Sequence, residues 1–97
     1  MATLHVSNTV RNYDSWKGNF DTFEQARKDR GVRGYRIARG DEEPTRVIVD
    51  LDFDSTTRAE EFAEFLRGVM SSPQAKQELL EHDAPVVLEV MEERQLV

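Results

Sequence analysis

Strict alternation of residue type in the segment RVIVDLDF, residues 46–53, constrains the fold more than any other feature of the chain. A period of two is typical of a β-strand, whose successive side chains point to opposite faces of a sheet. One row of this strand mixes Ile48 with Asp50 and Asp52. The other row is entirely apolar: Val47, Val49, Leu51 and Phe53. The apolar row is therefore predicted to be buried.

The same periodicity predicts three further strands. They lie near residues 4–10, at 32–39 (VRGYRIAR) and at 86–94 (VVLEVMEER). A polar turn, GDEEPT, joins the second strand to the third, and so short a connection makes these two an antiparallel hairpin.

The region after the first strand is predicted to form a helix with an aromatic stripe. Asn12 or Asp14 can cap its start, and Gly31 is a natural stop. One face carries residues at steps of three, four, three and four: Tyr13, Trp16, Phe20, Phe23 and Arg27. A stripe at helical spacing usually belongs to a core, but its amphipathic rings could also form the roof of a ligand pocket.

Two more helices are predicted between the third and the last strand. The segment DSTTRAEEF offers several caps for the second helix, including Thr57, which has Glu60 three positions later in the spacing of a capping box. Ser72 and Pro73 provide an N-cap and a first helical residue for a short third helix, which is predicted to run to about Glu81.

The resulting order, β-α-β-β-α-(α)-β, predicts an α+β fold of ferredoxin-like type. Its four-stranded antiparallel sheet carries helices on one face, and residues 1–97 form a single domain. Helices can cover only one face of such a sheet. The uncovered face would expose an apolar patch that includes Ile48, and patches of this kind usually mark an interface.

The segment NYDSWKGNFD after the first strand, together with the later strand GYRIAR, resembles the dimeric α/β-barrel superfamily, which includes the antibiotic biosynthesis monooxygenase-like proteins. The most specific part of the resemblance is formed by Tyr13, Asp14, Trp16, Lys17, Phe20 and Asp21. The resemblance implies that two subunits pack sheet to sheet as a homodimer, which would cover the second face. It leaves function open, because the superfamily hosts oxygenases, isomerases, heme enzymes and ligand sensors.

Charge and composition narrow the range of partners. A net charge of −6 argues against binding to nucleic acid or to an anionic membrane, and no segment resembles a secretory signal, so a cytoplasmic location is the default expectation. Six basic residues nevertheless lie between Arg27 and Arg39. They indicate either a solvated helix end and strand edge or a local anion site.

Neither metal nor cofactor is expected. The chain has no cysteine, and its two histidines, His5 and His82, have no ligand partner at helical spacing. Heme-degrading members of the superfamily use an Asn on the first strand, a Trp on the second helix and a later His. Asn8 and His82 match two of these positions, but residues 55–81 contain no Trp.

Two functions are consistent with the sequence. One is a homodimeric small-molecule-binding or accessory protein. The alternative is a cofactor-independent monooxygenase or polyketide-cyclase-like enzyme acting on a small aromatic or polyketide-like ligand. The candidate catalytic base is His5, and the candidate ligand contacts are Ser7, Tyr13, Trp16, Tyr35, Arg36 and Asp50. His5 can line a cavity only if its row faces the helices; otherwise it belongs to the dimer interface.

Overall fold

The computed structural model describes residues 1–97 as one antiparallel sheet with helices packed against one face. The strands are β1 (Ala2–Val10), β2 (Gly34–Arg39), β3 (Arg46–Phe53), β4 (Leu79–His82) and β5 (Val86–Glu89). The helices are α1 (Tyr13–Thr22), α2 (Glu24–Asp29), α3 (Thr56–Met70) and α4 (Pro73–Glu78). None of these helices is both long and apolar enough to span a membrane.

The sheet has the order β2-β3-β1, and its fourth position is shared by two short strands. β5 pairs with the first half of β1 and β4 with its last residues. The prediction of four strands was wrong, because the sheet has five: β4 lies in a region that was predicted to be helical. The predicted last strand, 86–94, is present but shorter, as β5. The prediction of a third helix reaching Glu81 was wrong: α4 ends at Glu78, and Leu79 turns to an extended backbone that pairs with the edge of β1.

Helix boundaries follow local capping. The Asn12 side chain accepts a hydrogen bond from the Ser15 amide at the start of α1, as predicted. Of the candidate caps in the segment DSTTRAEEF, Ser55 rather than Thr57 caps α3, and its hydroxyl accepts from the Arg58 amide. This hydrogen bond satisfies one of the free N–H groups of the first turn.

The predicted first helix is broken into α1 and α2 at Phe23. Its backbone there has φ −98° and ψ 13°, and its amide bonds to Phe20 instead of continuing the α-helical pattern. Phe23, at the break, is 38% exposed. Arg27, one turn later, is buried at 4% exposure.

The core lies between the sheet and α3. β3 alternates without exception between buried and half-buried residues, so the predicted apolar row faces the helices. The helix-facing row of β1 includes Leu4, Val6 and Val10, and Phe53 of β3 packs against Phe62 of α3 with ring centroids 5.5 Å apart. This arrangement leaves the other face of the sheet without helices.

Candidate functional site

A cavity of about 140 Å³ lies between the helices and the sheet. Its floor is made by β1 and β3, which contribute Val6 and Val49, and α3 supplies an apolar wall that includes Phe62. Exposed Gln74 of α4 also lines the cavity, so the space reaches the surface beside that helix. An apolar cavity of about 150 Å³ can accommodate a benzene-sized molecule. The cavity therefore has room for a single aromatic ring.

The wall formed by α1 is the aromatic stripe. Trp16 is 8% exposed and stacks in a tilted arrangement on Phe20, with 5.1 Å between centroids. Tyr13 lies on the far side of Trp16 at 5.9 Å, and Tyr35 of β2 meets Phe20 edge-on at 5.2 Å. Of these four rings, only those of Trp16 and Phe20 line the cavity. Tyr13 and Tyr35 support them from outside.

The polar side of α1 is exposed to solvent. Lys17 Nζ donates to Asp21 at 2.6 Å, and this hydrogen bond raises the pKa of Lys17 above its ordinary value. This ion pair joins positions i and i+4 on one helix and does not line the cavity. It belongs to the helix surface.

Arg27 is a buried cation in the cavity wall. Its guanidinium carbon lies 3.7 Å from the centroid of the Phe20 ring and 5.1 Å from that of Tyr35. One terminal nitrogen reaches Glu24 at 3.5 Å, a long contact, and Nε has no hydrogen-bond partner. Burial of a charge is unfavourable unless its donors are satisfied. Arg27 therefore has an unused donor at this site.

Asn8 is the second polar group buried in the cavity. It occupies the helix-facing row of β1, between Val6 and Val10, and is 5% exposed. Its Oδ1 has no hydrogen-bond partner. An unpaired amide among apolar side chains is costly. Asn8 and Arg27 carry the two buried side-chain polar atoms of the chain that lack a partner, and both residues line the same cavity.

Hydrogen bonds join α1 to α4 at the rim of the cavity. Asn19 donates to Glu78 at 2.9 Å, and Gln74 donates to the Asn19 side-chain oxygen at 2.9 Å. Ser15 adds a bond of 2.8 Å to the same Glu78 oxygen. The polar residues at this end are therefore paired with one another. Asn8 Oδ1 and Arg27 Nε, in contrast, have no partner within the chain.

The predicted site residues are divided between the two faces of the sheet. Tyr13, Trp16 and Tyr35 lie on the helix-covered side, as described above. The row that contains Leu4, Val6 and Val10 faces the helices, so His5 and Ser7 point to the other side. Asp50 and Arg36 join them there, because His5 pairs with Asp50 across the sheet, and Asp50 pairs with Arg36. The expectation that all of these residues could meet in one cavity is corrected by strand alternation.

The open face contains hydrogen-bonded pairs. His5 Nδ1 lies 2.7 Å from Asp50 Oδ1, and both side chains are 38% exposed. Thr3 donates to Asp52 at 2.9 Å. Exposed Val86 and Leu88 of β5 flank these pairs through their pairing with His5 and Thr3. The face therefore mixes polar pairs with exposed aliphatic side chains.

The residues do not form a metal-binding or heme-binding group. No cluster of three or more histidine, aspartate or glutamate side chains is close enough to hold a metal ion. Asn8 and His82 are cross-strand partners of β1 and β4, but His82 is exposed and does not line the cavity. No imidazole is available in the cavity for a heme iron.

A solved protein structure has a similar architecture. The chain is similar to a crystal structure from Deinococcus radiodurans described as a "putative antibiotic biosynthesis monooxygenase", with a TM-score of 0.63, 11% sequence identity and coverage of 100% of this chain and 99% of the other. The chain has the antibiotic biosynthesis monooxygenase fold. The α+β, ferredoxin-like prediction is confirmed, and the resemblance seen in the sequence extends to the whole fold. No family model and no curated protein matches the chain.

The two residues that distinguish the cavity were not among the predicted ligand contacts. Arg27 was counted in the basic segment, although it also continued the aromatic stripe at helical spacing. That position was the available signal, because an arginine on an apolar stripe is predicted to be buried. Asn8 had an equally simple signal: it is the one polar residue in the apolar row of β1 that includes Leu4, Val6 and Val10.

Proposed function

We propose that the protein is a homodimeric small-molecule-binding protein that takes a ligand of about one aromatic ring into the cavity of each subunit. The observation that carries the proposal is the coincidence of an apolar cavity with the two unpartnered buried polar atoms, on Asn8 and Arg27. Apolar walls with a few polar groups inside are the usual composition of small-molecule sites. In this proposal Trp16 is the ligand-contacting member of the predicted aromatic set.

The dimeric part of the proposal is supported by the open face of the sheet. Its half-buried Ile48 and exposed Val86 and Leu88 form an apolar surface that a second sheet would cover. The His5–Asp50 pair would then lie in the interface. His5, Ser7, Arg36 and Asp50 are thus proposed as interface groups, and such an interface is expected to bury more than about 1,000 Å².

The enzymatic alternative is favoured by one observation, the buried cation of Arg27. A cofactor-independent oxygenase needs a group that stabilises an anion formed from an electron-rich substrate, and a guanidinium in an apolar cavity can do this. His5 is on the other face and cannot act as the base there. An enzyme of this kind would consume dioxygen only when substrate is present, which an oxygen electrode measures with an electron-rich phenol as the test compound.

Ligand binding in the cavity is tested by filling it. Ala75 of α4 lines the cavity, so Ala75→Phe places a ring in the space proposed for the ligand. Gln77→Phe adds the same ring at an exposed position of the same helix that does not line the cavity. Trp16 is the only tryptophan and lies in the wall, so its fluorescence reports binding of benzamide, benzoate or phenol.

We expect a saturable change in Trp16 fluorescence in the native protein and in Gln77→Phe, and at least a tenfold weaker response in Ala75→Phe, since about 1.4 kcal/mol of lost contact is enough for that factor. Subtraction of the quenching of a free tryptophan analogue by the same compounds removes collisional effects. Equal binding by Ala75→Phe and the native protein would place the ligand elsewhere.

The dimer is tested by placing a charge on the open face. Ile48→Lys puts an ammonium in the middle of the proposed interface, whereas Gln77→Lys makes the same charge change on α4. Light scattering should give twice the chain mass of 11.2 kDa for the native protein and for Gln77→Lys, and the single-chain mass for Ile48→Lys. A native particle of single-chain mass at micromolar concentration would refute the dimer.

A further inference from the structure

The cavity has mostly apolar walls but contains one buried positive charge. Arg27 is its only fully buried charge, and the acidic residue of the lining, Glu78, is already bonded to Ser15 and Asn19. We infer that the ligand is a small aromatic oxyanion, a carboxylate or a phenolate, whose charged oxygen pairs with Arg27. This inference rests on the proposed function and adds the chemical class of the ligand.

The surroundings of Arg27 leave its charge only partly compensated. Aromatic faces attract the cation, but they do not accept the N–H groups that lie in the guanidinium plane. Glu24 approaches one terminal nitrogen at 3.5 Å and is itself half exposed, with the Tyr35 hydroxyl donating to its other oxygen at 3.2 Å. Nε has no acceptor. An oxyanion in the cavity would supply an acceptor for this N–H group.

A neutral ligand would bind Arg27 in the cavity wall less strongly than an anion would. A charge-assisted hydrogen bond is roughly twice as strong as a neutral one, and exclusion of water strengthens it further. The rings of Trp16 and Phe20 favour an aromatic body for the same ligand. Asn8 Oδ1 would accept from a hydroxyl or amine elsewhere on the ring. The geometry therefore favours a hydroxylated aromatic acid or a phenol bound as its anion.

The basic segment between Arg27 and Arg39 has two interpretations, a solvated surface or a local anion site. The location of Arg27 decides between them. Most of its members, such as Lys28, Arg30 and Arg36, are exposed, as expected for a solvated surface. Arg27 alone is buried and lines the cavity. The anion site that the charge pattern allowed is thus assigned to one inward-facing residue.

The test compares charged and neutral forms of one ring. Isothermal titration at constant ionic strength uses benzoate against benzamide, and 4-cyanophenol as its anion against its neutral form. We expect at least one anion to bind about tenfold or more tightly than its neutral counterpart, which corresponds to about 1.4 kcal/mol. Preference for benzoate identifies a carboxylate site, and preference restricted to the phenolate identifies a phenolate site.

Substitutions then connect the preference to Arg27. Arg27→Met should abolish the difference between anion and neutral form while leaving the binding of benzamide nearly unchanged. Arg27→Lys keeps the charge but loses the Nε donor, so part of the preference should remain. Arg39→Met is the matched control, because Arg39 stacks on Tyr13 at 4.7 Å without lining the cavity. It should leave the preference intact.

The outcomes of these experiments distinguish the oxyanion inference from the proposal that the cavity binds a small molecule. Binding of both forms with equal affinity overturns the oxyanion and leaves small-molecule binding in place. Failure of every compound to bind overturns both. A preference that survives in folded Arg27→Met assigns the anion to another group and overturns the role of Arg27. If circular dichroism shows that Arg27→Met is unfolded, Arg27→Lys decides, and an unchanged preference there refutes the Nε contact.

Discussion

The two faces of the sheet are built from the same strands and differ in nearly every physical respect. On the helix-covered face, Leu4 and Phe53 are fully buried. On the open face, His5 and Asp50, which belong to the same two strands, are 38% exposed and joined by a hydrogen bond of 2.7 Å. Buried apolar area stabilises the fold, whereas half-exposed polar pairs contribute little to its stability. The covered face therefore stabilises the fold of the chain, and the open face contributes little to that stability.

Two residues of the covered face depart from its apolar pattern. Asn8 is a polar residue in an apolar row, and Arg27 is a cation at the end of an aromatic stripe. Both deviate from the pattern that stabilises the fold, and both line the cavity. A position that breaks a local rule and leaves a buried polar atom unpaired is a candidate for a functional role. On the open face, by contrast, His5 is paired with Asp50 and Thr3 with Asp52.

Phe53→Ala is expected to have the largest effect on stability. Phe53 is 0% exposed and packs against Phe62, so its removal leaves a cavity as well as the loss of buried apolar area. The free energy of unfolding should fall by about 3–5 kcal/mol, measured by urea denaturation. Asp52→Ala, one residue away on the open face, is the control and should cost less than about 1 kcal/mol when both substitutions are made in the Ile48→Lys background. Equal costs would mean that the two faces do not differ as described.

Sequence alone predicted the elements whose periodicity was unambiguous. β3 alternates throughout, and its pattern of burial followed directly from its residues. The end of α4 was missed because a helical start at Ser72 and Pro73 says nothing about where helix gives way to strand. Residues 79–82 become extended through pairing with β1, a tertiary contact that local propensity does not contain.

The candidate site was harder to predict because two rows of β1 were both plausible linings. The row of His5 has a titratable group that suggests chemistry, and the row of Asn8 has one amide among aliphatic residues. Only the three-dimensional structure decides which row faces the helices. The break at Phe23 adds a second difficulty, since it changes which stripe residues remain buried. The aromatic rings therefore identified the helix face that lines the cavity, but they did not identify Arg27 as a candidate ligand contact.

Asn8→Leu is predicted to have a smaller effect, and of opposite sign to Phe53→Ala. Leucine has a similar size and removes an unpartnered buried oxygen, so the free energy of unfolding should rise by about 1 kcal/mol. Urea denaturation measures the change, and the binding of phenol, whose hydroxyl can donate to Asn8 Oδ1, should weaken in the same variant. A marked loss of stability would show that the Asn8 amide has a structural role on the covered face.

His5→Ala is expected to have the smallest effect, provided that it is measured in a monomer. In the Ile48→Lys background the His5–Asp50 pair would remain half exposed, and its loss should cost less than about 1 kcal/mol in chemical denaturation. In the native background the proposed partner subunit would exclude water from the pair, and removal of one member would leave the other polar group buried without its partner. The same substitution should then cost more and should increase the dependence of the unfolding midpoint on protein concentration. If the cost is the same in both backgrounds, the pair is not covered by a second sheet, and the open face must remain in contact with water in the native protein.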